Sequence, residues 1–251
     1  MNRQFAALAV LLSAVAFFLA MRSQSFTRPS IDGHSLRMLI AGSGIPAVVF
    51  ENGLGPPLEM WGKVQPEVSR FTRTVAYDRA GVGLSERGPS PDRRADLSGP
   101  PGDSRQIAAE LRLALRAAGV PPPYVLVGAS LGGLYVRVFA EIYPDEVRGI
   151  VLVDPTHDPA AFETRAPLVL IDAISPRDVP FASRTIRQLR ADLRPEIDAE
   201  SRAYRSWVDA IPGAHLVITD RSGHNVPIEQ PDLVIETIRD VVETARTAAA
   251  P

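Results

Sequence analysis

Short runs of apolar residues, many of them β-branched, recur along the chain. They are Leu36–Ile40, Ala47–Phe50, Thr74–Tyr77, Tyr124–Val127, Gly149–Val153, Leu168–Ile171 and Leu216–Thr219. Several are continuously apolar rather than alternating, which is the pattern of strands buried on both faces of a parallel sheet. Between them the spacing changes to a helical period. In Ser104–Ala118, the residues Ile107, Leu111, Leu115 and Ala118 fall on one face. Asp103 with Gln106 three residues on offers an N-cap, and Gly119 a C-terminal stop. Leu131–Ile142, two stretches within Phe181–Ala210, and Leu233–Thr247 also read as helices. Strand–helix alternation sustained over about 200 residues predicts an α/β fold in three layers. Its central sheet should be mostly parallel, with helices on both faces. Gly88–Gly102, with its Pro, Gly and Ser residues and mixed charges, reads as an exposed loop.

The first residues do not fit this alternation. Phe5–Met21 is an apolar run without a charge, preceded by Arg3 and followed by Arg22. A basic start followed by an apolar run is an export signal, either cleaved or kept as a membrane anchor. Residues 1–25 are therefore set apart from a domain of residues 26–251, with Ser23–Ser30 as a short linker. The expected location is outside the cytoplasm, membrane-anchored or free in the periplasm or medium.

Composition narrows the chemistry. The net charge of -2 leaves no basic excess for nucleic-acid binding. Cysteine is absent, which excludes disulfides, a thiol nucleophile and thiolate metal sites. No His-x-x-x-His spacing and no carboxylate–histidine cluster suggests a metal, and no cofactor is implied. Gly81-Val82-Gly83 lacks the third glycine of a dinucleotide loop. The stretch Tyr77–Ser85 reads instead as a structured turn in which Asp78 and Arg79 pair with each other under the pocket.

The informative stretch is Val125-Leu126-Val127-Gly128-Ala129-Ser130-Leu131-Gly132-Gly133. A strand runs directly into Gly-x-Ser-x-Gly, and a helix follows. In that context the serine sits on a sharp turn, and the two glycines let the neighbouring backbones approach. The positive end of the helix faces whatever charge develops at Ser130. A second glycine-rich turn, Glu51-Asn52-Gly53-Leu54-Gly55-Pro56, follows an earlier strand. The Leu54 and Leu131 N–H groups could together bind an oxyanion, at ~3 kcal/mol per donor.

A serine nucleophile needs a general base and an acid that orients it. The histidines are His34, His157, His215 and His224. His224 follows the strand Leu216–Thr219, and Gly223 lets its loop turn sharply, so it is the expected base. His215 opens that strand at the far end, His34 lies in an early turn, and His157 is a candidate pocket residue. For the acid, Asp154 at the end of the strand next to the nucleophile's strand is preferred. Asp178, in the loop after the following strand, and Asp172, at that strand's end, remain alternatives.

These motifs resemble the α/β-hydrolase superfamily, in its esterase/lipase-like branch. The resemblance covers about Ile31–Thr247 and rests on four segments in the family's order: Glu51–Gly55, Tyr77–Ser85, Gly128–Gly132 and Ser222–His224. It implies Ser130 as nucleophile, His224 as base, and Leu54 and Leu131 as oxyanion donors. The branch often carries its acid in a Gly-x-x-Asp turn after the next-to-last strand. Here Asp172-Ala173-Ile174-Ser175-Pro176-Arg177-Asp178 departs from that turn, which is why Asp154 is preferred. The branch's His-Gly before the oxyanion donor is Asn52-Gly53 in this chain. Few residues separate Asp154 from Pro167, so little or no cap domain is expected. Phe181, Leu189, Leu193, Tyr204 and Trp207 either cover the pocket in part or pack a helix onto the sheet. The implied activity is hydrolysis of a small-molecule carboxylic ester through an acyl-enzyme. Alternatives on the same fold are a carbon–carbon bond hydrolase of diketones, a perhydrolase or acyltransferase, and a non-catalytic binding protein.

Overall fold

The strand sequences dictate a sheet that is covered on both sides. In Ala47–Glu51 and Tyr124–Ala129 every residue is buried, and successive side chains point to opposite faces. Tyr124 and Leu126 join one apolar cluster, whereas Val125, Val127 and Ala129 join the other. Val147–Val153 divides in the same way, with Ile150 and Leu152 on one face and Val151 and Val153 on the other. Each such side chain stabilises the fold by roughly 1.5–3 kcal/mol on burial. A one-residue slip would place every one of them on the wrong face.

The computed structural model describes residues 25–88, 101–155, 164, 166–173 and 194–248. Its strands are β1 (Ser25–Thr27), β2 (Ser30–Ile31), β3 (His34–Ser35), β4 (Met38–Ala41), β5 (Ala47–Glu51), β6 (Thr74–Tyr77), β7 (Tyr124–Ala129), β8 (Val147–Val153), β9 (Leu168–Ala173) and β10 (His215–Thr219). Its α-helices are α1 (Gln65–Val68), α2 (Pro101–Ala117), α3 (Gly132–Ile142), α4 (Arg194–Asp209), α5 (Val226–Glu229) and α6 (Pro231–Ala248). The main sheet is 8-stranded, in the order β1-β4-β6-β5-β7-β8-β9-β10. From β6 to β10 all neighbours are parallel, and β4 runs antiparallel to both β6 and β1.

Helices α2 and α3 pack on one face, where Leu111, Leu115 and Phe139 meet Leu126 and Ile150. On the opposite face Val234, Ile238 and Val241 of α6 meet Val125, Val127 and Val151. Helix α2 ends as its glycine requires. Gly119 has φ +70°, and its N–H reaches the Arg116 carbonyl while the Val120 N–H reaches that of Leu115. That hydrogen-bond pair is the Schellman stop.

One reading changes. Ser25–Thr27 and Ser30 lie in the stretch Ser23–Ser30 expected to be a linker. Yet Ser25–Thr27 pairs with Ile40–Met38 at the sheet edge, and Ser30–Ile31 forms a small hairpin with His34–Ser35. Strands this short carry too little hydrophobic pattern to stand out. For Tyr204 and Trp207 the structure selects one of the two expected alternatives. Tyr204 is buried in the core, Trp207 packs against it, and the Tyr204 hydroxyl donates to the Pro155 carbonyl at 2.6 Å. They fasten α4 to the sheet rather than cover a pocket.

Phe5–Met21, His157, Asp178, Phe181, Leu189, Leu193 and most of the 88–102 loop lie outside the described residues. Among the described residues no helix is long and apolar enough to cross a membrane.

Candidate active site

The parallel order puts the carboxyl ends of β5, β7, β8 and β10 along one edge of the sheet, and the candidate residues gather there. Ser130 follows β7 directly. Its φ is +51°, a left-handed value costly for a side chain with a Cβ. Its N–H donates to the Val153 carbonyl at 3.0 Å, and its carbonyl accepts from the Gly133 N–H at 2.9 Å. The residue is thus tied to the end of β8 on one side and to the first turn of α3 on the other. Gly132 is forced: a Cβ there would lie 2.5 Å from the Glu51 carbonyl oxygen and 2.7 Å from that of Asn52. The elbow and the end of β5 therefore touch through backbone.

Asp154 follows β8 and also has a left-handed φ, +44°. Its N–H bonds the Ile171 carbonyl at 2.7 Å, and its Oδ1 accepts from the Ala173 N–H at 3.4 Å. Its side chain is fully buried, and Oδ2 lies 2.5 Å from His224 Nδ1. Strained backbone at two adjacent strand ends costs on the order of 1–3 kcal/mol each and persists only where the surroundings hold it.

His224 is one-third exposed. Its loop is pinned from both flanks. The Gly223 N–H donates to Glu229 Oε2 at 2.7 Å, and the Arg221 N–H donates to Thr219 Oγ1 at 3.2 Å. Helix α5 follows at once, its first N–H groups closing on the Asn225 carbonyl. The imidazole thus reaches Asp154 across 70 residues of chain.

The turn after β5 packs on the serine. A Cβ at Gly53 would lie 3.2 Å from Ser130 Cβ and 3.8 Å from its Oγ. Below it is a buried polar layer. Asn52 Nδ2 donates to the Tyr77 carbonyl and its Oδ1 accepts from Trp61 Nε1, both at 2.8 Å. Glu51, wholly buried, meets the Tyr77 hydroxyl and the Arg79 guanidinium. Burial raises the Glu51 carboxyl above its ordinary value, with Arg79 and the Tyr77 hydroxyl opposing. Burial works most strongly against the Arg79 charge, but Glu51, Tyr77 and Tyr135 together oppose it, and the Arg79 pKa lies above its ordinary value.

The expected Asp78–Arg79 pair is corrected. Asp78 accepts from the Leu58 N–H at 2.7 Å and the Leu84 N–H at 3.0 Å, and pairs with Arg37 at 3.3 Å. Arg79 points to the other side of the chain, toward Glu51. Consecutive residues of an extended segment diverge, so neighbours in sequence do not pair. Glu51 was not singled out from sequence. Its signal was a carboxylate closing an otherwise apolar run, opposite a strand that ends in Tyr77.

Of the other candidates, His215 is exposed at the start of β10. His34 is buried, and among the described residues neither ring nitrogen has a hydrogen-bond partner. Asp172 accepts from Ser201 Oγ at 2.6 Å. Among the described residues no group of three or more His, Asp or Glu could hold a metal ion.

Comparison with known proteins agrees with this architecture. The sequence model described as alpha/beta hydrolase fold matches residues 46–178, just over half the chain.

The chain belongs to the alpha/beta hydrolase fold family.

Two curated relatives come from Bacillus subtilis (strain 168). The uncharacterized protein YbdG is 32% identical over 127 residues, covering 49% of this chain and 36% of YbdG. The uncharacterized protein YqjL is 26% identical over 238 residues, covering 84% of this chain and 88% of YqjL. The chain thus spans about a third of the first and most of the second. Among solved structures, a thermophilic esterase from Thermogutta terrifontis superposes with a TM-score of 0.64 at 16% identity. That match covers 88% of this chain and 98% of the esterase. Likeness at that identity shows the fold. The fold supports a hydrolase and is consistent with small-molecule substrates.

Proposed function

We propose that this chain is a serine hydrolase that cleaves carboxylic esters through an acyl-enzyme. The observation that carries the reading is the pairing at adjacent strand ends. A serine with left-handed φ closes β7, and a buried aspartate one strand over holds a histidine at 2.5 Å. An aspartate on Nδ1 keeps the proton there and leaves Nε2 to accept one.

In this reading Ser130 Oγ attacks the acyl carbon and its proton passes to His224 Nε2. The Leu54 and Leu131 N–H groups hold the oxyanion. His224 then gives the proton to the departing alcohol, and the acyl group stays on Ser130. Water, deprotonated by His224, attacks the acyl carbon. The Ser130 oxygen leaves, takes the proton back, and the carboxylic acid is released. Asp154 keeps the imidazole oriented through both steps. Export or anchoring through Phe5–Met21 is part of the same proposal and rests on the sequence pattern.

The experiment is labelling with a fluorophosphonate probe together with p-nitrophenyl ester turnover. Both are expected in the wild type. Ser130→Ala should abolish labelling and lower kcat on the order of 10⁶-fold. Turnover persisting at wild-type rate in that variant, or no labelling of the wild type, would overturn the reading.

A further inference from the structure

The layer under the oxyanion turn holds more charge than support for a loop requires. Arg79 Nη1 donates to the Asn52 carbonyl at 2.6 Å, and Nη2 donates to the Gly53 carbonyl at 2.6 Å. Nη1 also meets Glu51 Oε1, while Glu51 Oε2 meets the Tyr77 hydroxyl. The guanidinium carbon lies 5.1 Å from the centre of the Tyr135 ring. All four side chains are buried, and Tyr135 stands on α3 just after the elbow. One planar cation is thus clamped by a carboxylate and in turn clamps two successive carbonyls.

The consequence follows from peptide geometry. The Gly53 carbonyl and the Leu54 N–H belong to one planar trans unit, so they point in opposite directions. Holding the carbonyl on Arg79 turns the N–H away from the guanidinium. The same turn lies against Ser130, as the Gly53 approach shows. Were the carbonyl released, this peptide could rotate and the Leu54 N–H would leave its position. Gly53 places few steric limits on that rotation. A lysine could supply the charge but not a fork spanning two carbonyls and a carboxylate.

We infer that Arg79, locked by Glu51 and Tyr77, is the positioning residue that aims the Leu54 amide as an oxyanion donor. The inference rests on the ester-hydrolase reading above. Asp78 and Arg79, adjacent in sequence, therefore have separate duties: the aspartate anchors the turns at residues 58 and 84, and the arginine sets the donor.

The test uses the full chain carrying Arg79→Lys, with oxygen esters and the matching thionoesters. Sulfur accepts hydrogen bonds poorly, so the oxygen-over-sulfur preference in kcat reports how well the oxyanion donors are aimed. Arg79→Lys should lower kcat for the oxygen ester by 10²–10³-fold, the effect of losing one such donor. KM should change little, and the preference should fall by a similar factor. A folded Arg79→Lys protein with unchanged kcat, or with equal losses on both substrates, overturns the inference. If Arg79→Lys does not fold, Glu51→Gln is read in its place. It keeps the volume but loosens the clamp, and should lower kcat and the preference in the same direction. A folded Glu51→Gln protein with full preference also overturns the inference. Failure of the parent reading is distinct, because the wild type itself would then neither label nor turn over ester.

Discussion

Asp154→Asn separates the charge of the acid from its shape. Asparagine has nearly the same volume and adopts left-handed backbone readily, so φ +44° is kept. The two carboxylate oxygens have different partners, His224 Nδ1 at 2.5 Å and the Ala173 N–H at 3.4 Å. While Nδ1 keeps its proton, an amide satisfies one of these and faces a donor with a donor at the other. With its oxygen toward His224, its NH₂ meets the Ala173 N–H. With its NH₂ toward His224, Nδ1 must accept, the proton moves to Nε2, and the ring can no longer deprotonate Ser130. Because the Asp154 side chain is fully buried, no solvent replaces the lost charge. Loss of this charge behind a catalytic imidazole costs on the order of 10⁴ in kcat, about 5.4 kcal/mol of transition-state stabilisation. The assay is steady-state p-nitrophenyl ester hydrolysis, alongside a thermal melt that establishes folding. A folded Asp154→Asn protein with kcat within tenfold of wild type refutes the reasoning. The acid would then be sought at Asp178 or Asp172.

Further expectations follow from particular contacts. Gly132→Ala puts a Cβ 2.5 Å from the Glu51 carbonyl oxygen, a backbone atom, so strand and helix must separate. Stability should fall by about 1–3 kcal/mol in urea titrations, with activity falling too, and a neutral result would mean the elbow is looser than described. At Gly119 a Cβ meets nothing within 4 Å, but φ is +70°. Gly119→Ala should therefore cost about 1–2 kcal/mol and Gly119→Asn less, whereas equal costs would point to something other than backbone strain. Tyr124 is raised by burial first and then by Glu146, from 10.0 to about 12. The native phenol binds its proton more tightly than the unfolded one, so its contribution to stability declines as pH rises from 10 through about 12. A difference titration of wild type and Tyr124→Phe by phenolate absorbance should show that late ionisation. Ionisation near pH 10 in the native protein would contradict it.

Much of the fold was legible because strands buried on two faces leave a one-dimensional trace. Ala47–Phe50, Tyr124–Val127 and Gly149–Val153 differ from the observed strands only at their ends. Gly119 marked the end of α2 because only a left-handed residue closes that turn cheaply. Ser130 was marked by its own context, since a serine between a buried strand and an apolar helix, flanked by glycines, needs no distant residue to be noticed. The preference for Asp154 likewise came from its place at a strand end.

What local sequence could not carry were the pairings across long separations. Nothing within β8 says that Asp154 meets His224, because their approach depends on β8, β9 and β10 being neighbours in the sheet. Nothing in Asp78-Arg79 says that one residue turns to Arg37 and the other to Glu51. The short edge strand Ser25–Thr27 is stabilised by pairing with β4, not by its own composition. Periodicity and turn residues are local properties, so the amino-acid order determined the elements, their approximate limits and the elbow. Which charged groups share a buried space is decided by strand order and by the cost of leaving a charge without a partner. That balance comes into being only when the sheet is assembled.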